Sequence, residues 1–149
     1  MKPSQQLVDF IASHEGLRLS AYRPLPTDRW TIGYGSTFIE GKPVVASQTI
    51  TREQAIKALT VTLNEFAVTI SKPGLPPGIT QEQFDAVLSL VYNIGFSAFR
   101  KSDTGKRFYA GHDISDRFAL YNKSGGSVVP GLVTRRENEK NIYTKGVYV

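Results

Sequence analysis

The 149-residue chain contains no cysteine. Disulfides and thiolate metal sites are therefore excluded, and the redox compartment is left open. Histidine is almost as scarce. His14 and His112 are too few for a His-rich metal site. His14 adjoins Glu15, but neighbouring side chains on a helix diverge, so the two do not read as a ligand pair. No metal and no cofactor are expected. Long apolar runs are also missing. The opening residues, Met1-Lys2-Pro3-Ser4-Gln5-Gln6, offer nothing suited to a signal peptide or membrane anchor, which implies a protein made and held in the cytosol.

Acidic residues are outnumbered by basic ones, 13 to 18, giving a net charge of +5 and a pI near 9.5. Polyanions are the natural partners of such a surface: nucleic acid, lipopolysaccharide or an anionic cell wall. A solvated basic face with modest steering value is the plainer alternative. Nucleic acid is disfavoured, because the chain has no helix-turn-helix pattern, no zinc pattern and no aromatic-basic sheet motif. The hydrophobic share of 40% and charged share of 21% are those of a soluble globular protein. The length fits one domain over residues 1–149, with enough chain to bury a core.

Leu7, Phe10, Ile11 and His14 fall at i, i+3, i+4 and i+7, a helical stripe opened by Ser4 and closed by Gly16. Glu15 then belongs to the last turn, the end of the helix dipole that favours a protonated carboxyl. Residues 17–38 are rich in Tyr, Thr, Ile and Gly, and Pro24, Pro26 and Thr27-Asp28 punctuate them. They predict a small irregular antiparallel sheet. Residues 39–48 continue as strand or loop, turned by Gly41 and Pro43. Thr51-Arg52-Glu53-Gln54 is a capping box that starts a long helix over 51–71, and Thr80-Gln81-Glu82-Gln83 is a second one. Phe84, Val87, Leu88 and Val91 mark the helix after it as central and buried. Shorter helices are predicted at 98–101 and 105–110. Another is predicted over 113–121, with Asp113 as cap. Residues 124–127 read as a turn, and Pro130-Gly131 opens a last helix to about Tyr143.

The chemistry concentrates between Glu15 and Thr37, EGLRLSAYRPLPTDRWTIGYGST. A carboxyl at a helix end facing a Gly-rich hairpin is a plausible site for acid catalysis. A surface glutamate beside a plain hairpin fits the same residues. Glu15-Gly16-Leu17-Arg18-Leu19, Ala21-Tyr22-Arg23 and Thr31-Ile32-Gly33-Tyr34-Gly35 resemble the signature of the phage-type lysozymes, glycoside hydrolase family 24. The resemblance continues in order through Ile50-Thr51, Gln83-Phe84-Asp85-Ala86, Asn93-Ile94-Gly95, Gly125-Gly126 and Pro130-Gly131-Leu132 with Arg135-Arg136 and Glu139. It covers nearly the whole chain.

The resemblance implies an α+β, lysozyme-like fold, with a small sheet lobe and a larger helical lobe joined by the 51–71 helix and a glycan cleft between them. It implies an endolysin that cleaves the β-1,4 bond between N-acetylmuramic acid and N-acetylglucosamine in peptidoglycan, with inversion. Glu15 matches the general acid, and Thr31 matches the threonine that handles the water. Thr37, Tyr92 and Ser102 fall where similar proteins face the glycan; strand end, core aromatic and helix cap are their plainer roles. An arginine near Arg135 and Arg136 lies beside the catalytic glutamate in such proteins. The expected partners are peptidoglycan strands and a holin for export. The protein is expected to be a monomer, held in the host cytoplasm and released to the periplasm and wall at lysis. With no added wall-binding module in view, a thin Gram-negative wall is the expected target.

Two family positions depart. One is Ser36, where many similar proteins carry a mainly structural His after the Gly-x-Gly, so that it bears on stability more than on chemistry. The other lies nine residues after Glu15: where the family carries Asp stands Pro24, and the loop to Thr31 is one residue longer. Asp28 is its only carboxylate. Either Asp28 returns to the water site, or the role is vacant and Thr31 holds the water, or Glu15 acts alone as in lytic transglycosylases. Asp28 also fits as a turn-former, and Thr31 as an ordinary strand residue. Two further readings stand outside hydrolysis: a non-catalytic peptidoglycan binder, and a nucleic-acid-binding protein.

Overall fold

The computed structural model describes residues 1–149. The chain forms two compact units, Val8–Leu63 and Met1–Leu7 with Asn64–Val149. Helix α1 (Gln5–His14) and helix α2 (Arg52–Ser71) each contribute to both.

The Val8–Leu63 unit holds the strands that surround the signature. β1 (Arg18–Tyr22) runs antiparallel to β2 (Thr31–Gly33), with Arg18 opposite Gly33 and Tyr22 opposite Thr31. The register slips between these pairs, so β1 bulges. Its other edge is bridged through Ser20 and Thr49, where the Ala21 N–H donates to the Gln48 carbonyl and the Ile50 N–H to the Leu19 carbonyl. β3 (Phe38–Ile39) and β4 (Lys42–Pro43) form a tight hairpin through Glu40-Gly41, both in the left-handed region. Gly33 has a φ of +68°, and a Cβ there would stand 3.2 Å from the Ala55 Cβ. A side chain here would be strained by the backbone and would crowd the start of α2, which glycine avoids.

In α2, Ala55, Leu59, Leu63, Ala67 and Ile70 are buried, a stripe at helical spacing. Thr51 caps it reciprocally with Gln54, as the sequence predicts. Pro73 and Gly74 end it. The Thr80–Gln83 capping box likewise opens α3 (Gln81–Ile94). Phe84 to Val91 are buried without a break, so α3 is enclosed on all sides. α4 (Phe96–Lys101) and α5 (Asp103–Tyr109) follow, joined at Ser102. A Cβ on Gly105 would lie 2.0 Å from the Phe99 carbonyl oxygen, so the two short helices touch backbone to backbone. α6 (Pro130–Lys145) has Pro at its start and Gly146 as a left-handed cap, and packs on α3.

Two expectations are corrected. Residues 113–121 are not an α-helix; only Phe118–Leu120 make a 3₁₀ turn. The Asp113 carboxylate accepts from the Ser115 N–H at 3.0 Å and the Ser115 hydroxyl at 2.8 Å. That local turn competes with helical bonding. Residues 124–127 are more than a turn: β5 (Lys123–Ser124) and β6 (Ser127–Val128) pair around Gly125 and Gly126, both at positive φ.

Gly105→Ala is expected to cost about 3 kcal/mol or more, because the obstacle is backbone that cannot repack; urea unfolding checks this. Two tyrosines set an alkaline limit. Burial pushes Tyr109, whose hydroxyl donates to the Ile70 carbonyl at 2.6 Å, up to about 12. Burial and then the Asp85 carboxylate raise Tyr148 above the ordinary 10.0. Both contributions are fully present below the unfolded pKa and are lost as pH rises through the folded values. The melting temperature should fall between about pH 10 and 12, and the Tyr109→Phe/Tyr148→Phe protein should show a flatter fall.

Candidate active site

Glu15 lies one residue past the end of α1. Its N–H still donates to the Ile11 carbonyl at 2.9 Å, so the helical bonding pattern reaches it. The expected last-turn placement is met to within one residue. Leu7, Phe10 and Ile11 are buried, and the His14 ring packs on Phe10 at 4.6 Å between centroids. The helix end that carries the half-buried Glu15 is thereby held from beneath, and Gly16 releases the chain into β1.

The loop from Arg23 to Trp30 is tied at both ends. The Arg23 guanidinium lies 4.6 Å over the Trp30 ring and donates from Nη1 to the Pro26 carbonyl at 3.0 Å. Inside it, the Asp28 N–H donates to the Leu25 carbonyl and the Leu25 N–H to Asp28 Oδ2, both at 2.9 Å. Asp28 is thus an exposed residue whose carboxylate closes its own turn. Pro24, at the departed family position, is exposed and brings no acid or base. Thr31 follows directly, half-buried, and its hydroxyl donates to the Arg29 carbonyl at 3.2 Å. Beyond β2, the Ile32 and Ser36 backbones exchange both hydrogen bonds, closing the Gly33-Tyr34-Gly35 turn.

Glu15, Asp28, Thr31 and Thr37 all belong to the Val8–Leu63 unit, whereas Tyr92 and Ser102 belong to the other. The Thr37 carbonyl accepts from the Val44 N–H at 2.9 Å. Tyr92 is half-buried, edge-on to Phe66 with ring centroids 5.6 Å apart. The Ser102 hydroxyl caps α5, accepting from the Gly105 N–H at 3.0 Å and donating to the Phe99 carbonyl at 2.6 Å.

The second unit carries two buried polar clusters on α3. In one, Glu139 is fully buried. Its Oε2 accepts from the Ser89 hydroxyl at 2.5 Å and Arg136 Nη2 at 2.9 Å, with Arg135 Nε at 3.5 Å. Arg136 Nη1 donates to Asn93 Oδ1 at 2.8 Å and to the Tyr121 carbonyl. Burial pushes the Glu139 carboxyl up, against the pull of Arg136, Ser89 and Arg135, and burial likewise holds Arg136 down. In the other, buried Asp85 accepts from the Ser4 N–H and hydroxyl, Gln81 Nε2 and the Tyr148 hydroxyl. The roles of Ser89 and Asp85 are not among the sequence expectations. Their signal is present: Asp85, Ser89 and Asn93 recur every four residues along the otherwise largely apolar run from Phe84 to Ile94.

Together these elements define an α+β, lysozyme-like protein with a signature glutamate at the end of its first helix. The phage lysozyme family profile matches residues 12–139. The endolysin of Bacillus phage B103 is 40% identical over 98% of this chain and 55% of its own length. The chain spans about half the length of the curated Bacillus phage relatives it matches, 55% and 56%. Among solved structures, the endolysin from Escherichia coli O157:H7 phage FAHEc1 superposes with a TM-score of 0.84 at 35% identity, covering 100% of this chain and 97% of that one. The muramidase domain of SpmX from Asticaccaulis excentricus gives 0.83 at 33% identity, covering 96% and 97%. The chain belongs to the phage lysozyme family.

Replacing Glu139 by Gln keeps the shape but leaves the buried guanidinium groups without their counter-charge. A loss of about 3–5 kcal/mol is expected in denaturant unfolding. In a double-mutant cycle, Ser89→Ala should cost much less in that background than in the wild type, since both act on one carboxylate.

Proposed function

We propose that the protein is a muramidase that hydrolyses the β-1,4 bond between N-acetylmuramic acid and N-acetylglucosamine, and so lyses the host cell. Family membership across residues 12–139, with the Glu15–Gly35 signature inside that span, carries this reading.

Glu15 is the general acid and protonates the glycosidic oxygen as the bond breaks. Water attacks the opposite face of the sugar, its oxygen bonding to C1 as the C1–O bond to the leaving sugar breaks, and inverts the anomeric centre. With no protein base assigned, the proton it sheds passes to bulk water, from which Glu15 is re-protonated. Thr31 positions that water. Its hydroxyl hydrogen is directed to the Arg29 carbonyl, which leaves the oxygen lone pairs to accept from water and turn the attacking oxygen towards the sugar. Asp28 acts by holding the loop: its engagement with the Leu25 N–H supports a turn role over that of a base. Thr37, Tyr92 and Ser102 contact the glycan, Ser102 through the chain it fixes at the start of α5. The reading needs no metal or cofactor. The protein works as a monomer on peptidoglycan strands and passes from the host cytoplasm to the wall through a holin lesion. No helix is long and apolar enough to cross a membrane.

The test is lysis of outer-membrane-stripped Gram-negative cells and of Bacillus cells, with mass spectra of the fragments. Reducing muramic ends are expected from the wild type. Glu15→Gln should lose about 10²–10⁴-fold in rate, and Thr31→Ala a substantial part of that. Asp28→Asn can still accept the Leu25 N–H, so it should stay within about tenfold of wild type, whereas Asp28→Ala should fall further. A collapse in Asp28→Asn equal to that in Glu15→Gln would make Asp28 the base. Anhydromuramic products would indicate a transglycosylase acting through Glu15 alone, and absence of lysis by the wild type a non-catalytic binder.

A further inference from the structure

Arg100, Lys101, Lys106 and Arg107 place four cations within eight residues, against one carboxylate, Asp103. All five residues are exposed. They occupy the outer side of α4 and α5, whose inner side is the buried Phe99, Thr104, Gly105 and Phe108. An ordinary basic face has mobile side chains, and each long cation carries rotamer entropy that binding must remove.

Here the arginines are already fixed. The Arg100 guanidinium lies over the Tyr109 ring at 4.7 Å, linking α4 to α5. Arg107 Nε and Arg117 Nη1 both donate to Asp103 Oδ2 at 2.8 Å. The Arg107 side chain is nevertheless 46% exposed, so its outer N–H groups still face solvent. The Arg107 hydrogen bond, foremost among the contacts of Asp103, holds that carboxyl below its ordinary value and the pair together. At Gly105 the two helices pack backbone against backbone, so their outer faces form one continuous block.

A guanidinium fork fits phosphate oxygens with two parallel hydrogen bonds. Several forks and ammonium groups on one continuous block fit a ligand that repeats its anion at intervals rather than a single small ion. We propose that the outer face of α4 and α5 docks a phosphodiester-linked wall polymer of the poly(polyol phosphate) type. The choice of a wall polymer rests on the wall-acting reading above, taken for a Gram-positive wall as the likeness to the Bacillus phage B103 endolysin suggests, and not for the thin wall expected from the sequence alone; the preorganised cationic face does not depend on it. Nothing on this face offers an element for reading base edges, which argues against nucleic acid as the occupant.

The experiment is calorimetric binding of the protein to soluble poly(glycerol phosphate) at several salt concentrations, with duplex DNA at equal phosphate concentration in parallel. No bond is cleaved, so the result is independent of muramidase activity. The variant Arg100→Gln/Lys101→Gln/Lys106→Gln/Arg107→Gln should bind about tenfold more weakly or worse, with a shallower salt dependence. A control with the same net charge, Lys42→Gln/Arg52→Gln/Lys57→Gln/Lys140→Gln, should bind as wild type. Arg100→Lys/Arg107→Lys keeps the charge but removes the forks, and should still lose about threefold or more. Equal weakening in the control would mean diffuse attraction to net charge. Wild-type binding by the Arg→Lys protein would remove the preorganised forks from the account. DNA bound as tightly as the polymer would assign the face to nucleic acid. Any of these three outcomes overturns the proposal.

Discussion

The buried carboxylate of Glu139 is the constraint on which the helical unit depends. A charge in that position is tolerated only if guanidinium and hydroxyl groups stand within reach when water is excluded. Ser89 and Asn93 from α3 and Arg136 from α6 satisfy that demand together, and they do so in one register of α6 against α3. An apolar interface alone would allow sliding by a turn at small cost; this one would strand a charge. The firm placing of α6 in turn fixes Tyr121 and the hairpin β5–β6 that leads into it.

In the other unit the corresponding constraint is backbone space rather than charge. Gly33 lets β2 lie on α2, and the paired Ile32 and Ser36 backbones hold the turn beyond it. The catalytic candidates are mounted on this frame, Glu15 at a helix end and Thr31 at the start of β2. The inserted loop between β1 and β2 is closed by its own contacts, the Arg23–Trp30 stack and the Leu25–Asp28 turn. A loop that has exchanged its family acid for Pro24 has thus kept a defined shape. The chemistry proposed for Thr31 depends on that shape.

Much of this was legible in the residues. Both capping boxes, the long helix over 51–71 and the enclosed run Phe84–Val91 follow from period and cap chemistry, which are local properties. Residues 113–121 misled because Asp113 can cap a helix or close a turn, and the choice depends on bonding with Ser115 that spacing does not reveal. The pairing at Lys123–Val128 was hidden by its brevity, although Gly125-Gly126 is ordinary hairpin chemistry. Asp85 and Ser89 needed the third dimension, since their partners Ser4, Tyr148 and Glu139 lie 50 or more positions away. The glutamate of the signature was legible only because a family resemblance picked it out from other helix-end glutamates. The partition of duty proposed for Asp28 and Thr31 rests on loop contacts that no motif records.

The Asp85 cluster has a further bearing on the chain as a whole. Ser4 near the beginning and Tyr148 near the end are hydrogen-bonded to the same carboxylate oxygen. Through this one side chain the segments around Ser4 and Tyr148, far apart in sequence, are tied together. Local opening of either segment here meets a shared lock. Loosening one segment withdraws a partner from the group that secures the other, and each segment kept in place restrains its counterpart.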